Sequence, residues 1–428
     1  MAADTIYAVS SGRPPAAIAV LRISGSEAIA AATRLAGTLP SPRRAGVRAL
    51  RDAVDNRLLD RALVLVFPGP ATATGEDLVE LHLHGGRAVV AGVAQALAGL
   101  GLRPAEPGEF TRRALAHGRI DLTEAEGLGD LLSAETEAQR QMALANSEGR
   151  LRRAVTHWAT TATRLSAMVE AVLDHGDEDD VDGSDAVLAE VRRDAGALAV
   201  EIATVLAVPP VERLRDGIRV VLAGPPNAGK STLLNALVGR EAAIVSPLAG
   251  TTRDVIEIPV TREGVAWLFL DTAGLRDDSA DPIERIGIDR ATGSIASADI
   301  VLWLGDDRPP AGTQAIALHA RADVRESVAD DRLAVSAVTG QGLDRLWAAL
   351  GTHAAGLLPK LDELALNRRQ AHHAGTAAGA LNRAATQDDP LLLAEELRYA
   401  VQAFAALTGL RATEAVLDDL FGRFCIGK

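Results

Sequence analysis

Gly224-Pro225-Pro226-Asn227-Ala228-Gly229-Lys230-Ser231 reads G-x-x-x-x-G-K-S, the spacing of a phosphate-cradling loop. Its flanks agree: the apolar run Ile218–Ala223 predicts a strand before it, and Thr232–Val238 predicts a helix after it. Glycines at both ends let backbone N–H groups turn inward at a helix N-terminus, where an anion is already favoured. In such a loop Lys230 reaches the β- and γ-phosphates, and the Ser231 hydroxyl ligates Mg²⁺. A strand, a loop and a helix in this order predict a parallel α/β sheet. Strand-like and helix-like runs then alternate to Leu350.

Companion motifs follow in the order that a GTP-binding domain requires. Gly250-Thr251-Thr252-Arg253-Asp254 supplies a switch threonine, and Thr252 is expected to complete the Mg²⁺ shell. The strand Val265–Leu270 leads into Asp271-Thr272-Ala273-Gly274, in which Asp271 supports the metal through water and Gly274 meets the γ-phosphate with its N–H. Ser336-Ala337, after a further strand, matches the loop behind the base. Singly, each is an ordinary turn. Their order and spacing make them a set.

The base-reading motif departs from Asn-Lys-x-Asp, because this chain has Ala320-Arg321-Ala322-Asp323. Asp323 still offers a carboxylate to the two N–H donors of guanine, which adenine cannot match. Ala320 lacks the bracing amide. The position after D-x-x-G, where many GTPases carry a water-orienting Gln, is Leu275. Asp277, Asp278, Asp281 and Glu284 are the nearby acidic alternatives, and no finger arginine is evident. Asn227 places an amide oxygen beside the β/γ bridge, where a monovalent cation would supply the missing charge.

The remaining sequence bounds the setting. The chain has 428 residues and a net charge of −13, against uniform coating of nucleic acid. Residues 1–118 are locally basic. There are 41 arginines and three lysines, Lys230, Lys360 and Lys428, so a retained lysine marks a place where a compact ammonium suits. Cys425, the single cysteine, cannot form an intrachain disulfide, which fits a reducing cytoplasm. Neither export nor membrane insertion is expected: Asp4 stands where a leader would carry positive charge, and the longest uncharged apolar stretch, 88–102, is short for a span.

Outside the nucleotide domain, residues 1–118 alternate β-like runs (Thr5–Ser10, Ala17–Ser24, Ala62–Phe67, Leu78–His84) with helical ones (Ser26–Gly37, Arg87–Leu100), an α+β module. Helical periodicity occupies Leu122–Asp174 and Ser184–Leu206, and returns after Leu357. The expected architecture is therefore multidomain: α+β at 1–118, helical at 119–214, a Ras-like P-loop G domain at 215–357, and helical again at 358–428. Glu80, His82 and His84 share one strand face, but no further ligand suggests a metal.

Beyond these motifs the chain resembles the MnmE (TrmE) family of tRNA uridine-modification GTPases along essentially its whole length. The resemblance rests on Leu21-Arg22-Ile23-Ser24-Gly25, on Glu80 with His84-Gly85-Gly86, and on Pro107-Gly108-Glu109-Phe110-Thr111-Arg112-Arg113-Ala114. Gly118–Glu126 and the ending Phe424-Cys425-Ile426-Gly427-Lys428 extend it. It implies a homodimer joined through N-terminal folate-binding domains, with the G domain inserted into a discontinuous helical domain. It further implies a heterotetramer with an FAD-dependent MnmG (GidA)-type protein, no membrane, and tRNA as substrate. The reaction would add a carboxymethylaminomethyl or aminomethyl group at C5 of the wobble uridine, with 5-formyl- or methylene-tetrahydrofolate as donor.

Residue by residue, the resemblance assigns folate binding to Arg22, Glu80, Arg119 and Lys428, K⁺ to Asn227, Ser246, Leu248 and Thr251, and Mg²⁺ to Ser231 and Thr252. Glu284 matches the water-orienting glutamate and Cys425 a functional cysteine. The GTP-contacting set runs through Asn227, Ala228, Gly229, Lys230, Ser231 and Thr232, and the switch loop Ser246, Pro247, Leu248, Ala249, Gly250, Thr251 and Thr252. It ends with Asp271, Thr272, Ala273, Gly274, Asp323, Ser336 and Ala337. Departures are Ala320, Arg119 where many relatives have Lys, and His175-Gly176 where they often have Phe-Pro. The competing reading is a GTP-controlled switch in ribosome assembly, which would have no need of folate.

Overall fold

Two six-stranded sheets organise the described residues. The computed structural model describes residues 4–175, 184–239, 256–271, 295–326, 331–410 and 413–428. They form two compact units: Met1–Gly129 with Asn146–Val155 and Ala405–Lys428, and Asp130–Ala145 with Thr156–Phe404. Elements are numbered below in chain order.

In the first unit the strands are β1 (Ile6–Val9), β2 (Ile18–Ser24), β3 (Gly46–Arg51), β4 (Leu58–Phe67), β5 (Leu78–His84) and β6 (Arg103–Pro104), ordered β3-β4-β5-β2-β1-β6. All neighbours are antiparallel except β1 and β6. Side chains alternate between faces along each strand. Leu21, Ile23, Val64, Val79 and Leu81 therefore point one way, into a core shared with α1 (Ala28–Ala36) and α2 (Arg87–Gly99). Ile6 and Ala8 point the other way and meet Phe110 of α3 (Glu109–Ala116). Arg22 and Glu80 lie opposite one another on that second face.

The second sheet is ordered β12-β11-β10-β7-β9-β8. Its strands are β7 (Ile218–Ala223), β8 (Ile256–Arg262), β9 (Val265–Asp271), β10 (Ile300–Trp303), β11 (Ala315–Ala320) and β12 (Leu333–Val335). Every pairing is parallel except β8 with β9. Helices α9 (Lys230–Val238) and α10 (Leu343–Leu357) cover one face, where Leu234 and Leu346 pack on Val220 and Leu222. Trp347 meets Trp267 and Phe269 edge-on, with centroids 5.7 and 5.8 Å away, and carries the Arg262 guanidinium 4.7 Å above its ring.

Helices make up the rest: α4 (Leu122–Ser133), α5 (Glu137–Ser147), α6 (Arg150–His175), α7 (Ser184–Leu206), α8 (Val211–Arg215), α11 (Arg368–Thr386), α12 (Pro390–Leu407) and α13 (Glu414–Gly422). The residues 184–215 carry an apolar window long enough for a membrane span by length and composition. Here Val191, Ala195, Leu198 and Ile202 are buried, and α7 packs extensively against α11. Asn367 and Gln370 cap α11 reciprocally, at 2.8 and 3.0 Å. Just before it, the chain on either side of the second sheet is drawn together. Val211 N–H donates to Leu366 O (3.2 Å), and Arg368 N–H donates to the Glu212 carboxylate (2.7 Å).

Several elements differ from the sequence expectation, which held neither β6 nor α3. Strand β3 was not anticipated, because Arg48 and Arg51 interrupt its apolar residues. Strand β4 begins at Leu58 rather than near Ala62. The helical stretch 122–174 is three helices, broken before Glu137 and at Gly149.

Candidate functional site

The phosphate loop leaves the C-terminal end of β7, between β9 and β10. Chain order reverses there, the position at which open α/β sheets bind ligands. Gly224 has φ +145°, and a Cβ on it would lie 3.1 Å from backbone atoms of Leu304 and Gly305, so the close passage of the loop over β10 requires glycine. Asn227 takes a left-handed φ of 61°, and Gly229 precedes α9 with φ 94°. Lys230 Nζ donates to the carbonyls of Gly224 (2.9 Å) and Pro225 (3.0 Å), which holds its ammonium over the loop. Ala228 packs on the core below, while Ser231 and Thr232 are exposed at the first turn of α9. The arrangement sets a lysine ammonium and a serine hydroxyl at the first turn of α9, beside the loop.

The base-reading loop leaves β11 beside it. Arg321, in the left-handed region at φ 60°, has its side-chain stem in ordinary contact range of Gly229. Asp323 is exposed, on a turn held by Ala322 N–H to Val335 O (3.1 Å) and by Val324 and Arg325 N–H to Arg321 O (3.0 Å each). Ala320 is buried against the apolar core. Ser336 is fully buried, and its hydroxyl accepts the Thr339 N–H at 3.2 Å, shaping the loop that carries Ala337. Three of the expected elements thus leave the C-terminal ends of the parallel strands β7, β11 and β12.

The other expected nucleotide residues lie outside the described residues: Ser246, Pro247, Leu248, Ala249, Gly250, Thr251, Thr252, Thr272, Ala273, Gly274 and Glu284. Asp271 ends β9 opposite Leu222 of β7, and its side chain is not described. One residue near the site was not singled out in the sequence. His319, beside Ala320, is buried, and neither ring nitrogen has a hydrogen-bond partner among the described residues. A histidine inside an apolar strand was the available signal.

On the first sheet, Arg22 Nε donates to Glu80 Oε1 at 2.8 Å, and His82 Nε2 stands 3.3 Å from the other Glu80 oxygen. His84 turns elsewhere: its Nδ1 is 2.7 Å from Asp60 Oδ1, and its N–H donates to Asp60 Oδ2 at 2.9 Å. Burial alone would raise the Asp60 pKa, but the bonds from His84 and the Arg61 N–H bring it below the usual value. The Glu80–His82–His84 row is therefore divided between two partners, and among the described residues no cluster suited to a metal occurs. Arg119 is exposed, with its stem near Gly75. Lys428 is half-buried and Cys425 exposed. Neither Arg119 nor Lys428 bonds to the Arg22–Glu80 pair among the described residues.

Comparison with known proteins bears on both sheets. Residues 5–119 match the N-terminus of the GTP-binding protein TrmE, and residues 122–425 match the MnmE helical domain. The chain belongs to the MnmE family. A tRNA modification GTPase MnmE of Novosphingobium aromaticivorans is 54% identical over 435 residues, covering 99% of this chain and all of the relative. The protein of that name from Rhizorhabdus wittichii is 56% identical over 431 residues, covering 100% of this chain and 97% of the relative. That of Erythrobacter litoralis is 54% identical over 427 residues, with 99% and 100% covered.

Some MnmE signature residues prove to build the scaffold. Asp121 and Glu124 exchange hydrogen bonds at the start of α4, each 2.9 Å, as a capping box does. Burial raises the Asp121 pKa. Glu109 pairs with Arg103 (2.6 Å) and Arg113 (2.9 Å). Burial opposes its charge, yet these arginines and the Glu106 N–H hold its pKa below the usual range.

Proposed function

We propose that this protein hydrolyses GTP in the service of tRNA modification, as the names of its relatives state for them. The observation that carries this is the phosphate loop at the point where chain order reverses, with the Asp323 turn beside it, in a chain that belongs to the MnmE family. Lys230 and the loop N–H groups hold the phosphates, Ser231 with Thr252 holds Mg²⁺, and Asp323 reads guanine. Asn227, with Ser246, Leu248 and Thr251, holds K⁺, and Glu284 orients the water. Support comes from the left-handed Asn227, which lies in the cradle itself.

For the modification, we assign Arg22, Glu80, Arg119 and Lys428 to a reduced folate, which supplies the one-carbon unit when bound. The half-buried Arg22–Glu80 pair suits such a group, offering a guanidinium and a carboxylate side by side, with His82 next to the carboxylate. Cys425 serves the reaction as an exposed thiol. The product is a carboxymethylaminomethyl or aminomethyl group at the wobble uridine, made in the cytoplasm by a homodimer working with an FAD-dependent MnmG-type partner. The packing of α7 on α11 supports a G domain at 215–357 inserted between helical segments 119–214 and 358–428, after an N-terminal domain at 1–118. Nucleoside analysis of tRNA from a strain lacking the protein tests the reading. The modified wobble uridine should disappear and return on complementation; unchanged nucleosides would refute it.

A further inference from the structure

We propose that Ser10 is a positioning residue for the modification reaction: its hydroxyl pins the segment 425–428, so that the exposed Cys425 and the half-buried Lys428 are carried on a fixed backbone. The proposal rests on the reading above that those two side chains take part. Ser10 Oγ donates to Gly427 O at 2.8 Å, across a sequence separation of 417 residues. This is the one side-chain hydrogen bond to residues 425–428 among those described. Ser10 is itself held, because its N–H donates to Val20 O at 2.7 Å. The anchor therefore belongs to the β1–β2 pair, in which Ala8 lies opposite Arg22.

Four further contacts agree. Phe424 is buried, its ring 5.7 Å from that of Phe421, in a cluster with Ala125. Ile426 forms an antiparallel bridge with Pro107, and Lys428 N–H closes a turn on Cys425 O at 3.2 Å. Gly427 sits at φ +96°, and a Cβ on it would fall 2.4 Å from Val9 O. Backbone is held at every step from 424 to 428. By contrast, Cys425 is exposed, and Lys428 makes no ion pair among the described residues. The segment thus has a fixed backbone but leaves the Cys425 thiol exposed and Lys428 half-exposed.

Cys425 is the chain's single cysteine, so a thiol-directed nitroxide on the full-length protein labels this segment alone. The wild-type label should show a dominant immobile component. Ser10→Ala removes one neutral hydrogen bond and should raise the ratio of mobile to immobile label about fivefold. Ser10→Thr, which keeps the hydroxyl, should restore it, and Gly427→Ala should leave mobile label only. In unlabelled protein, Ser10→Ala should lower kcat of tRNA modification by a similar factor, with GTP hydrolysis unchanged and rescue by Ser10→Thr. A label equally immobile in Ser10→Ala and Gly427→Ala would overturn the anchor. A freed segment with undiminished modification would overturn its role in positioning. Full modification by Cys425→Ser would instead refute the thiol assignment, while the label data still judged the anchor.

Discussion

Gly224→Ala tests how rigidly the phosphate loop is seated. An alanine there must adopt φ +145°, a region open almost only to glycine, at about 1–3 kcal/mol. Its Cβ would also sit 3.1 Å from Leu304 C and Cβ and from Gly305 N, where β10 cannot retreat without disturbing its ladder to β7. Overpacking of this kind adds about 1–3 kcal/mol. Together these predict about 2–6 kcal/mol, and with roughly 2–4 °C per kcal/mol a fall of about 4–24 °C in the melting of the second unit. Gly264→Ala is the control: its φ is +78° and nothing lies within 4 Å of the added carbon, so only the backbone cost applies. The assay is thermal unfolding of both variants, with binding of a fluorescent GTP analogue. If Gly224→Ala melts no lower than Gly264→Ala and binds normally, the loop is not held as the contacts indicate.

Asp323→Asn should weaken GTP binding by about 10²–10⁴, since two charge-assisted hydrogen bonds are lost, and should admit xanthosine triphosphate. Competition binding decides it; unchanged GTP affinity would count against Asp323 as the base reader. Hydrolysis should be faster in K⁺ than in Na⁺ at equal ionic strength, and Asn227→Ala should erase the difference, whereas equal rates in the wild type would remove the cation. Glu109 has a depressed folded pKa, so its contribution is present above the unfolded value near 4.3 and fades as pH falls through the folded one. Glu109→Gln should therefore cost roughly 1–3 kcal/mol at neutral pH, and urea titrations should show the gap from wild type closing below about pH 4.

The sequence revealed the nucleotide loop because phosphate binding is a local demand: six or eight consecutive residues must turn their N–H groups one way. The strand before it and the helix after it were equally legible, since Val220–Ala223 and Leu233–Leu237 each bury a run with the right period. Asp60 shows the opposite case. A buried acid reads as a break in β4, and its partner His84 lies 24 residues away on a neighbouring strand. Ser10 was invisible for the same reason on a larger scale, as nothing near it in sequence hints at Gly427. Ala320 was visible as a departure, but its buried, unpartnered neighbour His319 was not. Family signatures mixed chemistry with scaffold, and only the contacts of Glu109 and Asp121 separate the two.

The paired hydrogen bonds at Val211–Leu366 and Glu212–Arg368 have a mechanical consequence. They fasten residues 211–212 and 366–368 side by side, and the Arg213–Asp299 pair (2.7 Å) ties α8 to the loop that enters β10. The chain therefore enters and leaves the second-sheet segment through neighbouring residues. The same closure makes the segment separable: a short peptide joining α8 to α11 would leave the helices intact without it.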